Sequence, residues 1–418
     1  MLFIILLISL FATVPNLGFF SLPAVLLLVL VLAVSLIYFF KKDLLTNHTI
    51  DNSHFIFFFI ILCYSLFYYG GIYQQKDSFQ VAYLVFFILI GTSFFYFFMK
   101  KSVLQDKTFF WLLIVIYLCL SLWTIGTSPS PTVDSFVILK EAPMKILHGI
   151  NPYQANFTQV YEGIAADYYP YLPFSFIFVL PFRLILGDPR YASIFFSILS
   201  VLIFKKIFKN ADSKALNAFS GSFLFLPRSF FVLEHMYLDP IVFFLFITFY
   251  YYFKEKKFGV SLFFLGIFFG FKQYLVLLLP LFWQQVRKVL PKYYRYFFLP
   301  FTLFLFFLIL APSKFIDNIV TFYFTKQSAL PIRISLSVPT LLANIGFSRN
   351  IASLIGILFF GAIYSFIFKK KWLLTEKIFI VLLTFNIFSS ISFFNHYYLT
   401  FNFLLFAIME NTFSTSKR

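Results

Sequence analysis

One carboxylate, Asp134, stands where a strongly apolar segment gives way to a polar one. Steps of four and three residues from it reach Ile138, Glu141, Lys145 and His148. Because four of these five residues are polar, the spacing predicts an amphipathic helix that lies on a membrane surface. A carboxylate at its start could take a proton from a hydroxyl group, or it could cap the helix N-terminus.

Positive side chains beside apolar segments could bind a phosphate. The candidates are Lys272, Arg333, His396 and Arg228. A charge at such a position is costly unless it is paired or faces water, and it is therefore often functional. Lys272 lies between the short apolar segments 258–270 and 273–286, a pattern typical of two half-length helices that meet at a polar site.

A short polar loop adds two carboxylates and an imidazole, namely Glu234, His235 and Asp239. These three side chains could orient an acceptor molecule or hold a divalent metal. A solvated turn explains them about equally well. No metal motif can be built from the two cysteines, Cys63 and Cys119. The sequence therefore requires no cofactor and leaves a divalent metal as an open alternative.

Aromatic and amide side chains near Asp134 and near the predicted cations could line a groove for a sugar. The candidates are Tyr153, Tyr169, Tyr171 and Gln327. Flat aromatic rings stack on the apolar faces of sugars, which is why we assign this role to them.

The composition defines the elements that must position these residues. Of 418 residues, 61% are hydrophobic and 12% are charged, which is too little charge to cover a soluble protein of this length. We therefore predict an all-α, polytopic membrane bundle of about 14 spans (range about 11–14). The predicted spans are 2–18, 21–40, 54–70, 79–99, 108–126, 190–207, 215–231, 239–253, 258–270, 273–286, 295–311, 350–368, 374–392 and 396–410.

The net charge of +17 comes from short Lys/Arg clusters between the apolar segments, which is typical of cytoplasmic loops and not of a nucleic-acid-binding surface. With both termini in the cytoplasm, the clusters all fall on one side. The opposite side then receives a long loop, 127–189, in which 171–186 is predicted to be a re-entrant or surface-lying helix. We divide the chain into a four-helix segment (1–107), a catalytic membrane domain (108–410) and a cytoplasmic tail (411–418).

The region 127–410 resembles the GT-C superfamily of membrane glycosyltransferases, and within it the bacterial mannosyltransferases that use polyprenyl-phosphate sugars. The resemblance rests on Asp134, on Leu-His-Gly-Ile-Asn-Pro-Tyr at 147–153, and on Tyr-Pro-Tyr-Leu-Pro at 169–173 with Pro181. In that family the corresponding segment has two adjacent prolines, whereas in this sequence Pro170 and Pro173 are separated by two residues. Membership would imply a helical bundle with large external loops and an inverting transfer.

Chemistry and resemblance together predict transfer of mannose or another hexose from a polyprenyl-phosphate donor to a glycolipid or glycan acceptor. Asp134 would be the general base, and the cations would stabilise the leaving phosphate. We expect the site to be extracytoplasmic, in a bacterial inner membrane, with membrane lipids as further partners. Two alternatives stay open: a lipid-linked polysaccharide polymerase or ligase, and a lipid or solute transporter or flippase.

Overall fold

The computed structural model describes residues 1–41, 53–98, 105–161, 167–322 and 334–415. Within these ranges the regular structure is helical, and extended backbone pairs only in an isolated bridge between Phe19 and Ser335. The predicted all-α class is therefore confirmed.

Ten helices precede residue 235 in the described part of the chain. They are α1 (Leu2–Thr13), α2 (Leu22–Lys41), α3 (Ser53–Phe67), α4 (Phe79–Phe98), α5 (Asp106–Thr127), α6 (Asp134–Leu147), α7 (Phe174–Ile185), α8 (Arg190–Ile207), α9 (Ser213–Leu224) and α10 (Ser229–Glu234).

The described remainder continues with α11 (Asp239–Lys254), α12 (Phe258–Phe269), α13 (Leu279–Val286), α14 (Leu290–Phe298), α15 (Thr302–Leu310), α16 (Pro312–Ile316), α17 (Val338–Asn344), α18 (Arg349–Phe368), α19 (Leu374–Phe388) and α20 (Phe394–Thr415).

Among the residues that the structure describes, five helical stretches are long and apolar enough to cross a membrane: α2, Lys76–Phe98, α5, Leu290–Leu310 and α18. Shorter apolar helices, α1, α3, α7 and α12, accompany them. Large apolar side chains point outward, as Ile309 (76% exposed) and Ile357 (65% exposed) do. These features suit a polytopic membrane bundle. They do not confirm the predicted number of about 14 crossings.

The first helices pack directly on the later ones. Helix α1 packs against α2 and α20, α2 against α19, and α3 against α9. Their buried side chains belong to one continuous core with those of α11, α19 and α20. The boundary at residue 107 therefore separates no independent core, and the domain division stays a prediction.

The long predicted loop contains both expected helices. Helix α6 begins at Asp134, and the chain leaves it through Gly149, whose φ of +74° favours glycine. Helix α7 occupies most of 171–186 and packs against α6. A second, smaller core beneath them contains Tyr153 and Tyr169.

The helical backbone breaks beside Lys272. Helix α12 ends at Phe269, Lys272 itself is extended (φ −137°, ψ 136°), and a 3₁₀ segment, Gln273–Leu278, leads into α13. Two short helical stretches thus flank this lysine, as the sequence pattern predicted.

Candidate functional site

Asp134 is the first residue of α6, and its carboxylate is half-buried. The backbone N–H of Ser135 donates to Oδ1 at 2.7 Å, so the capping interpretation is partly realised. The Tyr168 hydroxyl donates to Oδ2 over a longer distance of 3.4 Å. Burial raises the pKa of Asp134, and the hydrogen bonds from Ser135 and Tyr168 counteract that rise. A carboxylate with these properties is a suitable proton acceptor.

The segment before and at the start of α6 is held by three separate elements. Tyr73, from the loop between α3 and α4, donates its hydroxyl to the Thr132 carbonyl at 2.8 Å. Ser135 donates its hydroxyl to the His235 carbonyl at 2.6 Å. Arg190 donates from Nη1 to the Ser128 carbonyl at 2.7 Å. These bonds fix the backbone on both sides of Asp134.

Arg190 is fully buried, which is unusual for a charged side chain and demands a partner. Asp188 supplies that partner through a contact of 2.6 Å between its Oδ2 and Arg190 Nη2. The guanidinium also lies 4.7 Å from the centre of the Phe136 ring in α6. Arg190 therefore locks the first turn of α6 against the start of α8.

Three tyrosines lie close enough to Asp134 to interact with its charge: Tyr168, Tyr161 and Tyr237. Burial raises the pKa of each hydroxyl, and the negative charge of Asp134 raises each pKa further. Tyr237 also interacts electrostatically with Asp239. Tyr237 is therefore within electrostatic range of both the Asp134 and the Asp239 carboxylates.

Asp239 and Lys272 form a buried ion pair with 2.7 Å between Oδ1 and Nζ. Asp239 Oδ2 is buried and has no hydrogen-bond partner within the described ranges. Lys272 interacts electrostatically with His396, and both lie beside the Tyr274 ring, the ammonium at 5.7 Å and the imidazole at 5.6 Å. Lys272 and His396, two of the predicted phosphate-binding residues, therefore lie close together, and the Asp239 carboxylate pairs with Lys272.

Glu234 has a different environment from Asp134. It is fully buried, and its carboxylate accepts the backbone N–H groups of Ile72, at 2.7 Å, and Tyr73, at 3.2 Å. A Cβ atom added to Gly71 would overlap this carboxylate. Burial raises the pKa of Glu234, and these N–H groups counteract the rise. Glu234 fixes the loop that carries Tyr73.

His235, also buried, lies with Nδ1 3.0 Å from the Phe231 carbonyl. Burial lowers its pKa to about 4, so the imidazole is neutral at pH 7.

Arg228 adopts a left-handed backbone (φ +69°), donates from Nε to the Val14 carbonyl at 3.3 Å and stacks on Tyr68. These bonds tie Arg228 to the end of α1 rather than to Asp134.

The predicted groove residues divide into two groups. Tyr153 and Tyr169 are buried in the second core, where Tyr153 donates to the Tyr171 carbonyl at 2.9 Å and Tyr169 shares a hydrogen bond with Ser175. Tyr171 is only partly buried. Gln327 and Arg333 lie outside the described residues, and their roles stay predictions.

No three His, Cys, Asp or Glu side chains in the described ranges come together in a way that could hold a metal ion. Sequence reasoning did not single out Tyr161, Tyr237 or Arg190 as site residues. The tyrosine-rich stretch 168–171 was visible, but which of its rings faces Asp134 depends on how the loop folds.

Comparisons of this chain with protein-family models, with curated proteins and with solved structures found no match.

Proposed function

We propose that the protein is a membrane glycosyltransferase that moves a hexose from a polyprenyl-phosphate donor to a hydroxyl of a glycolipid or glycan. The observation that carries the proposal is the half-buried Asp134 carboxylate at the start of α6, set among Tyr161, Tyr168 and Tyr237. The tyrosines offer flat rings and hydroxyl groups to a sugar, and the carboxylate offers a base.

In the proposed reaction, Asp134 accepts the proton of the acceptor hydroxyl as its oxygen attacks the anomeric carbon. A new glycosidic bond forms, the bond from the anomeric carbon to the phosphate oxygen breaks, and the configuration inverts. The bonding electrons leave with the polyprenyl phosphate, which departs as an anion. Lys272 and His396 would stabilise that phosphate, and because Lys272 is paired with Asp239, the phosphate would compete for the ammonium.

The proposal includes the predicted topology. The bundle would cross the membrane about 14 times. Both termini would be cytoplasmic, and Asp134 would lie on the extracytoplasmic face of a bacterial inner membrane. The apolar helices and the one-sided distribution of the Lys/Arg clusters support this arrangement.

The test is a transfer assay with the purified protein in liposomes, supplied with radiolabelled polyprenyl-phosphate sugars and a glycolipid extract. We expect label to move to a product with release of polyprenyl phosphate. Asp134→Ala should abolish transfer while the protein still inserts, and Asp77→Ala, an exposed carboxylate in another loop, should leave it unchanged. Transfer retained by Asp134→Ala would remove the carboxylate from the mechanism.

A transporter is the second candidate, and the buried Asp239–Lys272 pair at a helix break favours it, because transporters place such pairs along their substrate paths. The same liposomes distinguish the two functions. A transporter would move labelled lipid or solute across the bilayer without breaking the sugar–phosphate bond.

A further inference from the structure

A cavity of about 570 Å³ runs along α6, and Asp134 is not among the residues that line it. It extends from Ser130, before the helix, to Ile150, just beyond its end, and Arg183 of α7 forms part of its wall. We call it the α6–α7 groove. Since Asp134 and the tyrosines around it do not line it, the groove is separate from the proposed catalytic site.

Positive charge dominates the α6–α7 groove. Lys140, Lys145 and Arg183 line it, against one carboxylate, Glu141. That carboxylate already accepts the Thr158 hydroxyl at 2.5 Å and lies 4.0 Å from the Lys145 ammonium. Within the described ranges, Lys140 and Arg183 have no carboxylate within salt-bridge distance. The groove therefore has a net positive charge that an anion would balance.

Arg183 is held in place before any ligand binds. Its Nε donates to the Lys140 carbonyl at 3.1 Å, and its Nη1 donates to the Gly187 carbonyl at 2.7 Å. Both acceptors are neutral backbone groups, so the guanidinium keeps its charge while its orientation is fixed. An oriented guanidinium suits phosphate oxygens, which it can contact through two N–H groups.

Apolar surface adjoins these charges. Val137 and Met144 line the groove, and Ile150 at its end is 48% exposed. The end of α7 presents Ile185, which is 80% exposed, and Leu186, which is 52% exposed. An amphipathic helix with basic residues and exposed apolar neighbours is typical of the lipid headgroup region. The occupant should therefore carry both a negative headgroup and hydrocarbon chains.

We propose that the α6–α7 groove binds the headgroup of an anionic phospholipid. Its phosphate contacts Lys140, Lys145 and Arg183, and its acyl chains lie along the apolar end of α7. A zwitterionic lipid binds more weakly, because its own cation is repelled by the same three side chains. The proposal does not depend on sugar transfer, since binding alone is measured.

The experiment measures binding of a fluorescent phosphatidylglycerol to the detergent-purified protein by anisotropy. Unlabelled phosphatidylglycerol should compete at least tenfold better than phosphatidylcholine with the same chains, and better than glycerol 3-phosphate. Equal competition by phosphatidylcholine would overturn the proposal. Equal competition by glycerol 3-phosphate would also overturn it, because a soluble phosphate would then be sufficient.

Variants locate the site. The double variant Lys140→Gln/Lys145→Gln keeps Arg183 and its backbone bonds, and it should weaken phosphatidylglycerol binding at least fivefold with an unchanged melting temperature. Adding Arg183→Gln should weaken it further. The matched control is Lys256→Gln/Lys257→Gln, two exposed lysines outside the groove, which should change binding less than twofold. Unchanged binding by the double variant, or an equal loss in the control, would place the lipid elsewhere.

Discussion

Asp134 and Glu234 lie in neighbouring segments, joined by the hydrogen bond from the Ser135 hydroxyl to the His235 carbonyl. Glu234 is fully buried and accepts backbone N–H groups from Ile72 and Tyr73. Asp134 is half-buried and accepts the backbone N–H of Ser135 in its own helix and a long hydrogen bond from Tyr168. The same functional group thus occurs once fully buried and held by backbone donors of a distant loop, and once partly exposed beside a tyrosine hydroxyl.

The surroundings of each carboxylate, and not its residue type, indicate whether it stabilises the fold or takes part in a reaction. A carboxylate held by backbone donors of a distant loop stabilises that loop, and any movement of it disrupts the fold. A carboxylate that faces hydroxyl groups and is partly exposed can gain and lose a proton without such a disruption. We therefore expect changes at Asp134 to affect activity and changes at Glu234 to affect stability.

The largest effect is expected at Asp134. Asp134→Asn keeps the shape of the side chain but removes the base, and it should lower kcat/KM for sugar transfer by about 10²- to 10⁴-fold. Because burial raises the pKa of Asp134, ionising it costs stability as pH rises. At pH 7, Asp134→Asn should therefore melt at the same temperature as the unsubstituted protein or at a higher temperature. Initial rates and thermal unfolding in detergent measure both effects, and a lower melting temperature with full activity would reverse the comparison.

Glu234 should show the opposite behaviour. Glu234→Ala leaves the N–H groups of Ile72 and Tyr73 without their acceptor, and it should lower the free energy of unfolding by about 3 kcal/mol. Thermal unfolding in detergent measures the loss. Glu234→Gln, which retains one carbonyl oxygen, should lose less. Activity per folded molecule should fall only modestly, and a loss as large as that of Asp134→Asn at full stability would contradict the structural role.

Gly71 tests the same contact from the other side. A methyl group on Gly71 would overlap the Glu234 carboxylate, so Gly71→Ala should destabilise the protein by about 2 kcal/mol. In Gly71→Ala/Glu234→Ala the obstacle is gone, so the double variant should lose less stability than the two single variants added together. A fully additive pair in thermal unfolding would mean that Gly71 and Glu234 do not share one contact.

Local sequence patterns predicted some of these features. The polar face from Asp134 to His148 placed the start of α6, and the short apolar segments around Lys272 placed the helix break. Both signals lie within a few turns of helix, so periodicity and turn residues were sufficient.

The partners of these residues could not be predicted in the same way. Asp239 and Lys272 are 33 residues apart, and Glu234 is 162 residues from Ile72. Such pairs depend on how helices pack, which a single sequence does not encode at any fixed spacing. Tyr237 and Arg190 reach the neighbourhood of Asp134 for the same reason, and the fully buried Tyr153 and Tyr169 could not be distinguished by type from the exposed Tyr161.

The smallest effect is expected at Tyr168, and it tests whether Asp134 is the titrating base. Activity requires the ionised carboxylate, so kcat/KM should fall as pH falls through the pKa of Asp134, which burial raises above its ordinary value. The Tyr168 hydroxyl stabilises the carboxylate and lowers that pKa. Tyr168→Phe should therefore move the acid limb of the pH–rate profile to higher pH, reduce the rate a few-fold on that limb and leave the plateau unchanged. Tyr153→Phe, whose hydroxyl bonds to the Tyr171 carbonyl instead, should leave the limb where it is. If both variants shift the limb equally, or Tyr168→Phe shifts it to lower pH, the base is not Asp134.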